Sequence, residues 1–135
     1  MPFVVDATVA VRWFVPQEGH EAAKEWLHRL KVDPLLLVAP DLLRFEVFGV
    51  LARLQPRKDQ AWADRCFGRL DALGIRTLPT TMPLYSRAFE LARTLSISGW
   101  DAVYLAHAEQ LGAAWLTADR KVLRRLGDDP RIQAL

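Results

Sequence analysis

The chain carries a single cysteine, Cys66, among its 135 residues. One thiol can form no internal disulfide and cannot supply a zinc cluster, so it agrees with a reducing compartment and leaves any metal chemistry to oxygen ligands. Long apolar runs are missing too: stretches such as Leu35 to Pro40 fall far short of the roughly 20 residues that span a bilayer, and no membrane helix is expected. No basic segment precedes an apolar run at the N-terminus, where Asp6 interrupts the only candidate, so the expected location is the cytoplasm. Excess charge of one sign is scarce. A net charge of +2 with a pI near 9.0 permits a nucleic-acid partner without arguing for one. There is no serine elbow and no paired cysteine, and His20, His28 and His107 lack metal-type spacing; the histidines read as structural. Repeats, low-complexity tracts and linkers are absent, and the length suits one domain of about 100 to 150 residues, here 1–135.

What is present is apolar material, 51% hydrophobic against 25% charged residues, enough to bury a core. Phe3 to Val5, Leu35 to Ala39, Ile75 to Leu78 and Ala114 to Leu116 are short apolar runs that read as buried strands. Between them, apolar residues recur at helical spacing over Glu21 to Leu30, Leu42 to Leu54, Gln60 to Leu73, Leu84 to Leu95 and Asp101 to Leu111, with a last helix over Arg120 to Leu126. Continuous apolar strands alternating with helices indicate a parallel sheet covered on both faces, an α/β/α sandwich. Asp41 is expected as an N-cap after Pro40, and Gly74, Gly112 and Gly127 as helix ends.

Four acids stand out on this frame. Asp6 follows the first strand and Asp119 follows the Ala114 to Thr117 region, and the carboxyl ends of strands are where open α/β sheets bind ligands. Asp6 could equally cap a helix starting near Thr8, or Thr8 could support a metal-bound water. Glu46 lies in LLRFEVFGVL on an apolar helical face with Leu42, Leu43 and Val50. A desolvated carboxylate needs an arginine, a proton or a metal, and Arg44 is the nearest candidate for an ion pair. Asp101 matches a capping box with Ser98, and in TADRK Thr117 could cap the last helix while Asp119 suits the positive end of its dipole. Taken jointly, two acids follow strands and two lie on helices that begin beside them. Carboxylates brought within a few ångström repel and partly protonate unless a divalent cation neutralises them, and all-oxygen ligation suits Mg²⁺ or Mn²⁺.

The segments VVDATVAVRWFVPQEG, LVAPDLLRFEVFGVL and WDAVYLAHAEQLGAAWLTADRKVL resemble the PIN domain, and within it the VapC-type toxins of toxin–antitoxin systems; DAVYLAHAEQLGA followed by LTADRK is the most specific part. The resemblance covers nearly the whole chain. It implies a parallel-stranded α/β/α fold, metal-dependent endoribonuclease activity, homodimerisation and neutralisation by a cognate VapB-type antitoxin seated in a helix-lined groove. Position by position it implies a site of Asp6, Glu46, Asp101 and Asp119, assisted by the hydroxyls of Thr8 and Thr117. Trp100 stands where a smaller side chain or tyrosine is frequent, and His107 where an apolar residue is common.

On this reading Asp6, Glu46 and Asp101 hold or orient one Mg²⁺, with Mn²⁺ as an alternative, Asp119 completes the site, and an RNA phosphodiester is hydrolysed to leave a 5′-phosphate. Asp6→Asn is expected to abolish cleavage and leave the fold intact. RNA needs positive groups on the rim, among which Arg12, Arg120, Lys121 and Arg124 are candidates, although RKVLRR reads equally as a solvated helix face. No RNA contact is assigned to a residue. Of the five tryptophans only Trp13 and Trp100 fall near site loops, where they could stack on bases. The helices over Leu42 to Leu54 and Gln60 to Leu73 hold more apolar residues than one sheet face needs, which suggests an interface. Two other readings stay open: a nuclease of RNA maturation without an antitoxin, and a binding module whose acids are only caps and ion pairs. A phospho-acceptor receiver domain needs an acidic pair after the first strand, where this chain offers Asp6 alone.

Overall fold

Strands of three or four residues cannot stand alone, and here each is paired with a parallel neighbour. The computed structural model describes all 135 residues, with β1 (Phe3–Val5), α1 (Ala7–Val11), α2 (His20–Val32), β2 (Leu37–Pro40), α3 (Leu42–Ala52), α4 (Gln60–Ala72), β3 (Arg76–Leu78), α5 (Met82–Leu95), α6 (Gly99–Leu111), β4 (Ala114–Thr117), α7 (Arg120–Leu126) and β5 (Ile132–Ala134) in chain order. The strands form one sheet in the order β3-β2-β1-β4-β5, and every pairing is parallel. β1 is central, with Val4 opposite Val38 on one side and Trp115 on the other.

Side chains alternate across a strand, so an apolar run supplies both faces at once. Val5, Leu37, Ala39 and Leu116 face a core with α1 to α4, including Trp13, Trp26, Leu43, Val47 and Leu70. Val4, Val38, Leu78 and Trp115 face the opposite core with α5 to α7, including Leu84, Leu91, Tyr104, Leu105 and Val122. This is the α/β/α sandwich that the strand and helix alternation predicts. No helix is long and apolar enough to cross a membrane.

The differences have local causes. α1 is five residues long and carries no periodic signal of its own; it starts because Asp6 caps it. β5 is missed because two of its three residues are exposed and no apolar run marks it. Asp41 occupies the N-cap of α3 in helical geometry with no side-chain bond to the helix; it stands 4.0 Å from Arg44 instead. Gly74 and Gly112 end their helices with positive φ, but Gly127 is right-handed at φ −59°, and a Cβ there would lie 2.4 Å from the Leu123 carbonyl oxygen.

Candidate acidic site

The sheet order reverses direction between β1 and β4, and the carboxyl ends of these neighbours present Asp6 and Asp119 on one edge. Asp6 is 4% exposed, and five donors converge on it. Oδ1 accepts from the Thr8 backbone N–H at 2.9 Å, the Thr8 hydroxyl at 2.5 Å and the Val9 N–H at 3.4 Å; Oδ2 accepts from Trp115 Nε1 at 2.9 Å and the Thr117 hydroxyl at 2.6 Å. Capping and site placement therefore coexist in one residue. Burial pushes the Asp6 carboxyl up, and the Thr117, Thr8 and Trp115 donors oppose that rise without cancelling it.

Glu46 sits half-buried in mid-α3, and its partner is not an arginine. Arg44 turns away to Asp41 and to Asp71, 3.3 Å from it, while Tyr104 of α6 donates its hydroxyl to Glu46 Oε1 at 2.7 Å. Burial raises the Glu46 carboxyl first, the charges of Asp6, Asp101 and Asp119 raise it further, and the Tyr104 bond pulls the other way. Tyr104 stacks on Trp115 with ring centroids 5.9 Å apart, so one aromatic pair orients an acid of α3 and the acid that follows β1.

Ser98 caps α6, its hydroxyl accepting from the Asp101 N–H at 3.0 Å. The reciprocal half of a capping box is not made, and the Ser98 hydroxyl is the one donor acting on the Asp101 carboxyl. Burial and then the Asp119 charge push this carboxyl up to about 6. Asp119 caps α7 through Oδ1, which accepts from the Lys121 and Val122 N–H groups at 2.9 and 3.3 Å. Thr117 does not cap α7; its buried hydroxyl accepts from the Asp119 N–H at 3.1 Å and donates to Asp6. The Thr8 hydroxyl lies 3.3 Å from that of Thr117 and accepts from the Ala118 N–H at 2.8 Å, which ties α1 to the end of β4.

The four acids thus feel one another electrostatically without forming a ligand cage. No three acidic, histidine or cysteine side chains are gathered closely enough to hold a metal ion. In chemistry the donor set still fits a hard cation: all ligands are oxygens, three carboxyls are raised, Glu46 Oε2 and Asp119 Oδ2 accept no hydrogen bond, and Asp101 meets no donor but Ser98. Asp6 differs, since five donors already fill the lone pairs of its carboxylate.

Two clefts meet at Glu46. One, of about 710 Å³, runs between α3, the segment after β3 and the start of α6, lined by Phe45, Tyr85, Trp100 and Val103. The other, of about 420 Å³, lies between α1 and α3 and is lined by Thr8, Arg12, Gln17 and Arg53. Trp100 is 65% exposed, whereas Trp13 is buried and donates to the Ala23 carbonyl at 2.9 Å, so Trp13 cannot stack on a base. Arg120 pairs with Glu18, and Lys121 and Arg124 lie exposed on α7. Buried His107 contacts the Thr80 hydroxyl at 3.2 Å and His20 Nδ1 the Arg12 carbonyl at 2.7 Å, both structural bonds. Sequence reasoning passed over Trp115 and Tyr104, whose only signal is a polar tip on a residue otherwise read as core.

The family profile described as the PIN domain matches residues 3–128. A relative named Ribonuclease VapC3, from Pyrobaculum aerophilum, is 29% identical, with 93% of this chain and 95% of that protein covered. Among solved structures, PAE2754 from Pyrobaculum aerophilum superposes with a TM-score of 0.73 at 17% identity, over 99% of this chain and 90% of that one. VapBC2 from Rickettsia felis, bound to a promoter DNA fragment, gives 0.70 at 14% identity over 100% and 99%. A toxin–antitoxin complex from Klebsiella pneumoniae gives 0.69 at 15% identity over 97% and 95%. At these identities the structures are alike in fold.

Proposed function

The chain belongs to the PIN-domain family, and from that premise we propose that it is a metal-dependent endoribonuclease, the toxin of a toxin–antitoxin pair. The observation that carries this is the Asp101 carboxyl, half-buried beside Asp6 and Asp119, raised to about 6 and held down by no donor but the Ser98 hydroxyl. A carboxylate kept open at that cost is more use to a ligand than to the fold. The match to a relative named as a ribonuclease, over nearly the full length of both chains, supports RNA as the substrate class.

Asp101 would hold the cation, Mg²⁺ or Mn²⁺, and Asp6 would join it by exchanging one of its donors for the ion, with Glu46 orienting it and Asp119 completing the site directly or through water. When bound, a divalent cation supplies Lewis acidity at the phosphoryl oxygens and makes water a competent nucleophile at neutral pH. The protein's own part is to fix the carboxylates. Thr8 and Thr117 hold Asp6 from both sides, Trp115 supplies a third side-chain donor, and Tyr104 holds Glu46. Water adds to phosphorus, the P–O3′ bond breaks, and the products are a 5′-phosphate and a 3′-hydroxyl.

The partners proposed with this reading are a cognate VapB-type antitoxin and a second copy of the chain, the whole acting in the cytoplasm as one domain over residues 1–135. The neighbours titled as toxin–antitoxin assemblies support the first. Of the apolar surplus expected on α3 and α4, Phe45 and Phe48 of α3 are more than half exposed, which supports a protein-covered face there.

The test is cleavage of a mixed RNA pool by purified, partner-free protein with Mg²⁺, Mn²⁺ or EDTA, beside Asp101→Asn. Cleavage that needs the metal and disappears in the variant is the expected result. The saturation of Asp6 and the capping by Asp119 favour one second reading, a binding module without chemistry; neither cleavage nor saturable metal binding by folded protein would establish it in place of the first.

A further inference from the structure

We propose that the substrate strand crosses Glu46, with a backbone phosphate in the arginine cleft on one side and an unpaired base in the aromatic cleft on the other. This rests on the nuclease reading and adds to it a path and the residues that hold it.

Glu46 is a wall of both clefts, and the two differ in kind. In the α1–α3 cleft Arg12 is held by main-chain oxygens alone: Nε donates to the Glu18 carbonyl at 2.8 Å and an Nη to the Thr8 carbonyl at 2.5 Å. Gly19, at φ +86°, leaves the room, since a Cβ there would stand 3.0 Å from Arg12 Nε. No carboxylate neutralises this fixed cation. Arg53, exposed at the end of α3, also has no acidic partner, so the cleft presents two uncompensated positive charges beside a negative site. A second phosphate of a chain whose first phosphate lies at the acids meets that charge pattern.

Across Glu46 the cleft carries no positive side chain. Phe45 and Trp100 stand more than half exposed on its opposite walls, and Trp100 directly precedes Asp101 in α6. A volume of about 710 Å³ lies within the usual range of ligand pockets, roughly 300 to 1,000 Å³, and admits a base. Exposed aromatic rings beside a phosphate site are the stacking platforms of single-strand recognition, and the Thr77 and Thr80 hydroxyl-bearing residues on the floor add polar character. Phosphates on one flank and a base on the other also account for Trp100 at a position that a smaller side chain could fill.

The two flanks predict a double dissociation. Single-stranded RNA and an abasic ribose–phosphate oligomer of equal length are titrated by fluorescence anisotropy into Asp101→Asn protein, alone and with Arg53→Gln, Trp100→Ala or Trp100→Phe added. Trp100→Ala is expected to weaken RNA binding roughly 10-fold and leave the abasic oligomer unchanged, with Trp100→Phe restoring the RNA value. Arg53→Gln weakens both ligands alike and flattens the log Kd against log salt slope by about 0.7. Equal losses on both ligands from Trp100→Ala, or none, overturn the path and leave the aromatic cleft to a protein partner. Wild-type cleavage is measured in parallel. Cleavage without the dissociation sinks the path alone, whereas the dissociation without metal-dependent cleavage keeps the path and sinks the nuclease reading.

Discussion

Asp6 is the residue at which function and stability are hardest to separate. Its five donors all require an acceptor, so Asp6→Asn places an amide N–H₂ against an N–H or O–H and leaves at least one buried donor unpaired, at a cost of about 1–3 kcal/mol. The intact fold expected from sequence is thereby amended: the variant loses cleavage and also melts several degrees lower, and an unchanged Tm would show that the donors add nothing. Asp101→Asn is the cleaner control and should behave oppositely. Its carboxyl binds a proton more tightly folded than unfolded, so its contribution to stability is complete below about pH 4 and is lost as the pH rises towards about 6. Above that window the ionised group destabilises the metal-free protein by about 1 kcal/mol once solvent screening of a half-buried site is allowed for. Asp101→Asn therefore raises Tm in EDTA at pH 7.5 by about 4 °C and leaves it unchanged at pH 4; a gain at both would assign it to something other than titration. All four acids were visible in the sequence through their positions after strands and on helices. Their orienting partners were not, because Tyr104 and Trp115 reach Glu46 and Asp6 from 58 and 109 residues away.

At the scale of elements, α6 matters most, since Ala102 to Ala108 are buried on every side between α5 and the sheet while its first turn presents Asp101 and Trp100. That turn depends on Ser98. Ser98→Ala removes the bond to the Asp101 N–H and should cost about 1 kcal/mol, lowering Tm by about 4 °C and reducing cleavage while the metal requirement persists. If thermal scans show no change, the cap contributes nothing to holding α6. The elements that could be read in advance are those with enough residues to show a period: α2 to α6 and the four apolar strands lie within about two residues of expectation. β5 was illegible for a physical reason, and α1 was legible only as the helix that Asp6 could cap near Thr8. The strand is held by pairing with β4, a cause that is not local to the segment, whereas the five residues of α1 are too few to show a period and depend on the adjacent Asp6 cap.

For the whole molecule, the parallel sheet brings together acids that sequence separates by up to 113 positions, Asp6 to Asp119, at the switch between β1 and β4. Repulsion among them is a standing cost of the folded state, so a cation that binds only the folded chain stabilises it by about 2.7 kcal/mol at a hundred times its Kd. Saturating Mg²⁺ or Mn²⁺ should raise Tm by several degrees over EDTA, an increase that Asp101→Asn abolishes; a Tm indifferent to both ions would remove the metal from the proposal. Sequence could suggest that the acids converge, but it could not give the strand order, which depends on how the two cores close over opposite faces. The stacked Tyr104 and Trp115 rings, 5.9 Å apart, join the helical layer to the sheet and touch two of the acids at once. Their transition dipoles lie close enough to couple, so the pair is a chromophore built into the site. A rearrangement of Asp6 or Glu46 is therefore expected to change the near-ultraviolet circular dichroism, by a share that the difference from a Trp115→Phe variant isolates from the other tryptophans.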